Sequence, residues 1–285
     1  MYNKEQNEHV NVYQIVTDEI VKIMESGKIP WNEPYLANMQ APMNLITGKP
    51  YRGINRWLLW HAYDSPYYLT YNQAKALGGN VKRGEKSHLV TFWKRQETID
   101  KETGEPKTVA LLRYYRVFNV SQCEGIKHSR LTVKDNGNRE LLKPSAIVKN
   151  MPNRPVIKTS DASYAYYRPS TDTVHINGPK SFKTSEAYHA TLFHELAHAT
   201  GHGTRLDREL KGHTEKASYS REELIAEFAS AFLCEKSGIS KPTIRNAAAY
   251  IQHWKTFLQN DPKAVVSCAS KAEKAADYIL GTPQD

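Results

Sequence analysis

The chain has 285 residues, 40% of them hydrophobic and 24% charged, enough for two domains with cores of their own. No apolar run approaches the ~20 residues needed to span a bilayer, and the polar start Met1–Glu8 lacks the apolar stretch of a secretory signal, so a cytoplasmic protein without membrane attachment is expected. Cys123, Cys234 and Cys268 are odd in number and far apart, which argues against a disulfide framework and against a thiolate metal site. The net charge of +9 is one-sided: Lys and Arg outnumber Asp and Glu by 17 to 13 over residues 1–127 and by 7 to 2 over 128–160, and balance at 15 each over 161–285. That asymmetry points to a polyanion partner for the first part only.

In chain order, Val12, Ile15, Val16, Ile20, Ile23 and Met24 recur at helical spacing and predict a helix over Val12–Glu25, ended by Gly27 and Pro30. A Pro-limited loop follows at 30–34, then a structured loop over 42–55 leading into a short helix at Arg56–His61. A further helix is predicted at Tyr71–Leu77, stopped by Gly78-Gly79. Strands are predicted at Leu89–Lys94 and Val109–Val120, with a hairpin loop at Lys101–Pro106. The polar stretch 129–150 reads as a basic linker with a short helix near Ser145–Asn150. Beyond it come strands at Val156–Thr159 and Thr173–Asn177, then helices at Glu186–Thr200, Arg221–Lys236, Thr243–Gln259 and Lys263–Ile279. The expected fold is α+β in two domains, 1–128 and 151–285.

The sharpest motif is His194-Glu195-Leu196-Ala197-His198. Two histidines four apart on a helix share one face, so both imidazoles can meet one cation. Glu195 then sits beside the ion, where it can take a proton from water and later pass it to a leaving amine. Apolar neighbours Leu192, Phe193, Leu196 and Ala197 fit poorly with two solvated surface histidines. Catalytic zinc usually has three protein ligands. The longer metzincin pattern would require histidine where Thr204 stands, and His202 is displaced from it. The apolar helix 221–233 offers Glu223 and Glu227, four apart on one face. A buried carboxylate must be paired or metal-bound. Glu223 as ligand with Glu227 behind it is similar to the gluzincin E-x-x-x-D pattern, with Glu for Asp. Glu227 as ligand remains open, as does a capping box between Ser220 and Glu223. Tyr166, Tyr167, Tyr219, His175 and His202 are all conceivable as oxyanion-stabilising groups.

Between Lys49 and Arg95 nine Lys and Arg face only Asp64 and Glu85, interleaved with Tyr51, Trp57, Trp60, Tyr63, Tyr67, Tyr68, Tyr71, Phe92 and Trp93. Cations tracking phosphates, with aromatic faces for stacking, suit single-stranded nucleic acid. Trp57, Trp60, Phe92 and Trp93 read better as core. Tyr51, Arg52 and Lys49, in a Gly/Pro loop, are expected on the surface, with Arg56, Lys82, Arg83 and Lys86 as further DNA-binding candidates.

Thr47–Asn55, Val81–Lys86 and Tyr115–Val120 resemble the N-terminal domain of ArdC-type antirestriction proteins, shared with TraC-type plasmid primases. Phe193–His202, Arg205-Leu206 and Arg221–Glu227 resemble the metallopeptidase-like domain of the same proteins. The resemblance implies a single-stranded-DNA-binding domain fused to a zincin-like domain that holds Zn2+ or another divalent metal. It further implies carriage on mobile elements, protection of incoming DNA from restriction, and a possible protein or peptide substrate. A chain of net charge +9 cannot act as an acidic mimic of DNA. It would have to coat DNA or act on a restriction component. A DNA-coating protein with an idle metal site is the alternative to an active peptidase.

Overall fold

The computed structural model describes residues 11–32, 40–59, 63–100, 102–132, 141–162, 164–208, 216–241 and 247–283. Trp60, His61, the side chain of Tyr219 and Thr243, all named above, lie outside them. Helix α1 (Val12–Glu25) opens with Asn11 accepting from the Gln14 N–H and buries Val12, Val16, Ile20 and Met24. Strand β1 (Met43–Asn44) leads through a loop to α2 (Asn55–Leu58), followed by β2 (Tyr67–Leu69), α3 (Tyr71–Ala76) and β3 (Asn80–Val81). Thr70 and Gln73 form a reciprocal cap on α3. Strands β4 (His88–Ile99) and β5 (Pro106–Asn119) make a long antiparallel ribbon, much longer on the β4 side than predicted. Asp100 organises its tip by accepting from the N–H groups of Glu102 and Thr103 and from Lys107. The sheet order is β1-β2-β5-β4, and β3 pairs with β6 (Cys123–Glu124) in a separate two-stranded ladder.

After α4 (Ser129–Thr132) and α5 (Pro144–Asn150) comes a second sheet of β7 (Val156–Thr159), β8 (Tyr166–Arg168) and β9 (Thr173–Ile176), in the order β7-β9-β8. Strand β8 is an edge strand absent from the sequence-based expectation. Helices α6 (Ser185–Ala199), α7 (Lys216–Ser237), α8 (Ala247–Asn260) and α9 (Ala264–Ile279) complete the fold. Ser220 therefore lies inside α7, which removes the capping box proposed for it with Glu223.

The two halves share one large apolar cluster, while two smaller ones, around Tyr68 and Val90 and around Leu45 and Leu69, lie within the first half alone. The shared cluster takes Val16, Ile20, Met24, Trp31, Trp57, Leu89 and Leu112 from the first half together with Val174, Phe193, Leu224, Phe228, Phe232 and Ala269 from the second. Trp31 and Trp57 meet Phe228 edge-on and tilted at 4.8 and 4.3 Å, and Trp57 stacks on Phe232 at 4.9 Å. The stretch read as a linker joins in, because α5 buries Ile147 and Val148 in the same cluster.

Charge crosses the same boundary. Arg56 is 6% exposed and donates to Glu235 at 2.6 Å, with Glu273 at 3.8 Å. Arg52 pairs with Glu273 and Asp277. Gly53 takes a positive φ of 57° and brings its N–H to the Glu273 carboxylate. The loop Thr47–Asn55 thus grips α9, and two arginines expected to meet phosphates meet carboxylates of the same chain. Asn55 exchanges hydrogen bonds with the backbone of Thr91 and ties the grip to β4.

Candidate metal centre

Helix α6 starts at Thr184, whose hydroxyl accepts from the Ala187 N–H. Its inner face, Ala190, Phe193, Leu196 and Ala197, is buried. This fixes His194 and His198 toward α7, where their Nε2 atoms lie 3.2 Å apart. Glu223 completes the group: one carboxylate oxygen is 3.4 Å from His194 Nε2 and the other 3.5 Å from His198 Nε2. His194, His198 and Glu223 are the set of His, Cys, Asp and Glu side chains among the described residues whose ligand atoms fall within 4.8 Å of one another. Two imidazole nitrogens and one carboxylate oxygen are a donor set that fits a divalent ion such as zinc, with a coordination position left over.

Glu227 is not in that group. One turn along α7 from Glu223, it pairs with Lys241 and takes a hydrogen bond from Tyr250, which itself accepts from Trp31 Nε1. The supporting role falls to Glu222, whose Oε1 lies 3.4 Å from His198 Nδ1. Arg208 holds both Glu222 oxygens, at 2.7 and 3.1 Å. Burial pushes the Glu222 carboxyl up, but His198 and Arg208 outweigh it and hold it below the usual range. A carboxylate behind a ligand histidine fixes its ring and tautomer. The signal for Glu222 was its place beside Glu223 on the flank toward His198, which a search for carboxylates on Glu223's own face passes over.

The C-terminal end of α6 is tied down by Arg208 and a second arginine, Arg205, which no spacing announced as supports. Arg205, with no exposed side chain, donates to the Ala199 carbonyl and grips Asp172 through both oxygens, at 2.8 and 2.7 Å. Arg208 donates to the Ala197 carbonyl and the Thr200 hydroxyl. Cations on the last free carbonyls also answer the negative end of the helix dipole. The Asp172 carboxyl is held low chiefly by its hydrogen bond from Arg205.

Glu195 is 7% exposed on the side of α6 toward β8. The Tyr167 backbone N–H donates to it. Burial pushes its carboxyl above the ordinary range against the pull of His194 and His198. Among the oxyanion candidates, the Tyr167 hydroxyl donates to Asp172 and His202 is bonded to Thr204. Tyr166 and His175 stack on each other on the far face of the sheet.

The DNA-binding candidates separate. Lys49, Lys82, Arg83 and Lys86 are exposed. Arg56 is buried in its ion pair and Arg52 is engaged on α9. Tyr51 is corrected outright: at 8% exposure it packs with Leu59, Tyr68, Val90 and Val117, and burial raises its hydroxyl pKa. Loop position suggested exposure, but its N–H and ring fold back onto the sheet through the Pro42 carbonyl and Tyr68. Phe92 and Trp93, expected as core, are 43% and 46% exposed on the ribbon instead.

A family model for zincin-like metallopeptidases matches residues 147–271, and one for the N-terminal domain of anti-restriction factor ArdC matches residues 10–118. The chain is 33% identical over 292 residues to an uncharacterized protein, y4eC, of Sinorhizobium fredii, across 96% of this chain and 93% of that one. It is also 33% identical to the DNA primase TraC of Escherichia coli, where it spans 27% of the primase's length. Crystal structures of the antirestriction protein ArdC from the R388 plasmid, metal-free and Mn(II)-bound, match with TM-scores of 0.73 and 0.74 at 34% identity. Those matches cover 96% and 95% of this chain, and 100% and 97% of the crystal chains. With an ArdC N-terminal domain, a zincin-like domain after it and likeness over nearly its whole length, this α+β chain belongs to the ArdC antirestriction family.

Proposed function

We propose that the protein binds single-stranded DNA through its N-terminal region and hydrolyses a protein substrate at a zinc site, and so protects incoming mobile-element DNA. The observation that carries the peptidase reading is the convergence of His194, His198 and Glu223 from two helices beside the buried Glu195. A divalent ion held by His194, His198 and Glu223 would supply Lewis acidity and lower the pKa of a nearby water. Glu195 would take a proton from water and return it to the leaving amine. Its raised carboxyl and the Tyr167 N–H suit a group that must be protonated and deprotonated in turn. Glu222 and Arg208 keep His198 oriented throughout.

The DNA reading is supported by the exposed cations Lys49, Lys82, Arg83 and Lys86, and by the ribbon carrying Phe92, Lys94, Arg95 and Arg113 into solvent. The Mn(II) in the R388 relative belongs to that protein. For this chain the ion, zinc or another, is read from two imidazoles and one carboxylate. Among the described residues no helix is long and apolar enough to cross a membrane.

The test is Glu195→Gln, assayed for transfer of a plasmid into a restricting host. Loss of protection with metal content and DNA affinity unchanged supports hydrolysis. Full protection by the variant overturns it and leaves a DNA-coating role.

A further inference from the structure

The solvent face of the β7-β9-β8 sheet has an unusual surface. Side chains alternate across a strand, and Ile157, Val174 and Tyr167 form the rung that faces the core. The next rung, on the opposite face, is Lys158, His175 and Tyr166. Tyr166 and His175 lie flat on each other, with ring centroids 4.7 Å apart and planes 11° apart. The Arg168 guanidinium sits 5.4 Å over the Tyr166 ring and donates to its hydroxyl. Tyr164, 68% exposed, lies 5.8 Å from Tyr166. No strand residue on this face is Asp or Glu.

The charge agrees. Lys158 and Arg168, both exposed, are the charged strand residues of this face, and Asp172, next to Thr173, is held by Arg205. A cross-strand aromatic pair alone would be ordinary sheet stabilisation. A largely exposed tyrosine beside it and flanking cations add what folding does not require. An exposed ring beside cations is the chemistry that takes an unpaired base and its phosphate: Tyr164 offers the open ring, while Tyr166, with His175 on one face and Arg168 over it, braces it.

We infer that this face is a stacking platform for single-stranded nucleic acid, which carries the DNA path of the proposed function onto the zincin-like domain. Tyr167 lies between Tyr166 and Arg168 in β8, and its N–H holds Glu195. The face therefore shares strand β8 with the backbone contact that holds the candidate catalytic carboxylate. The inference rests on the reading that the chain binds single-stranded DNA, but not on which N-terminal residues do so.

The test uses the full chain and a fluorescent oligothymidylate long enough to reach both regions. Tyr164→Ala should weaken binding roughly fivefold or more with the salt dependence unchanged, because stacking releases no counterions. Tyr164→Phe keeps the ring and should bind like the parent. Arg168→Ala should make the salt slope shallower by about 0.7, one phosphate contact. Unchanged melting temperatures exclude a folding defect. If these variants bind like the parent while Lys82→Ala with Lys86→Ala weakens binding, the platform is overturned and the N-terminal reading stands. If only the platform variants weaken binding, the N-terminal assignment falls instead. If the parent binds no oligothymidylate, both fall. If the platform variants bind DNA normally but lose protection in cells, the face serves a protein, and the inference is overturned.

Discussion

The loop Thr47–Asn55 and the helical turn His194–His198 are the two stretches whose sequences speak most directly of chemistry, and they fared differently in the fold. In α6, spacing alone places both imidazoles on one side of a helix, and the third donor arrives from α7 where a carboxylate was expected. In the loop, cations and an aromatic ring beside Gly and Pro suggested a phosphate-tracking surface. The structure spends Arg52 on α9, buries Arg56 against Glu235, and folds Tyr51 into the sheet. Helix geometry is local and survives any tertiary context, whereas the partner of a charge is whichever anion the fold brings near.

Removing a ligand should have the largest effect. His194→Ala or His198→Ala is expected to abolish stoichiometric metal binding, measured by elemental analysis after dialysis, and Glu223→Ala to weaken it severely. Glu227→Ala should leave the metal in place. If Glu227→Ala alone strips it, the two glutamates exchange roles and the comparison fails at its stronger end.

Breaking the clasp comes next. Arg56→Ala removes the buried guanidinium that pairs with Glu235 and should destabilise the protein by about 3–5 kcal/mol in urea unfolding. Arg56→Met, which keeps the volume but not the charge, tests packing separately. Neither should change the salt dependence of DNA binding in chains that remain folded. A shallower slope would return Arg56 to the DNA surface. The shared core carries a related expectation: residues 1–127 alone, with the faces of Trp31 and Trp57 that meet Phe228 laid open, should lack a cooperative transition.

Glu222→Ala is expected to weaken metal affinity about 10–100-fold, the usual range for a group that orients a ligand histidine. Equal affinity would reduce Glu222 to an anchor for Arg208.

The Arg205–Asp172 pair should give a smaller, pH-dependent effect. The folded Asp172 carboxyl is held below its unfolded value, so its stabilisation is complete above the ordinary carboxylate range and disappears as pH falls through the lower folded value. Asp172→Asn should therefore lower the melting temperature at pH 7, with the gap to the parent closing in acid. A gap that stays constant with pH would assign the loss to geometry rather than charge. Smallest of all, Lys82→Ala should make the salt slope of single-strand binding shallower by about 0.7.

The sequence by itself determined α1, α5 and α6, and the existence though not the length of the ribbon, because apolar periodicity, caps and turn residues act within a few neighbours. It also determined that His194 and His198 share one side of α6, since a four-residue step on a helix has one geometry. Glu223 was legible only to within one turn of α7. The tertiary structure decided that Glu222 rather than Glu227 stands behind a histidine, because Lys241 and Tyr250 reach Glu227 from another helix and the segment before it. It decided that the cations of one half neutralise the acids of the other, so a charge count by segment overstated what the first half offers a polyanion. It decided as well that Trp57 is core while Trp93 is not: both lie in aromatic, basic sequence, and only the docking of α7 onto α2 buries one of them. Burial and ion pairing are set by which distant segments meet, and no local pattern carries that information.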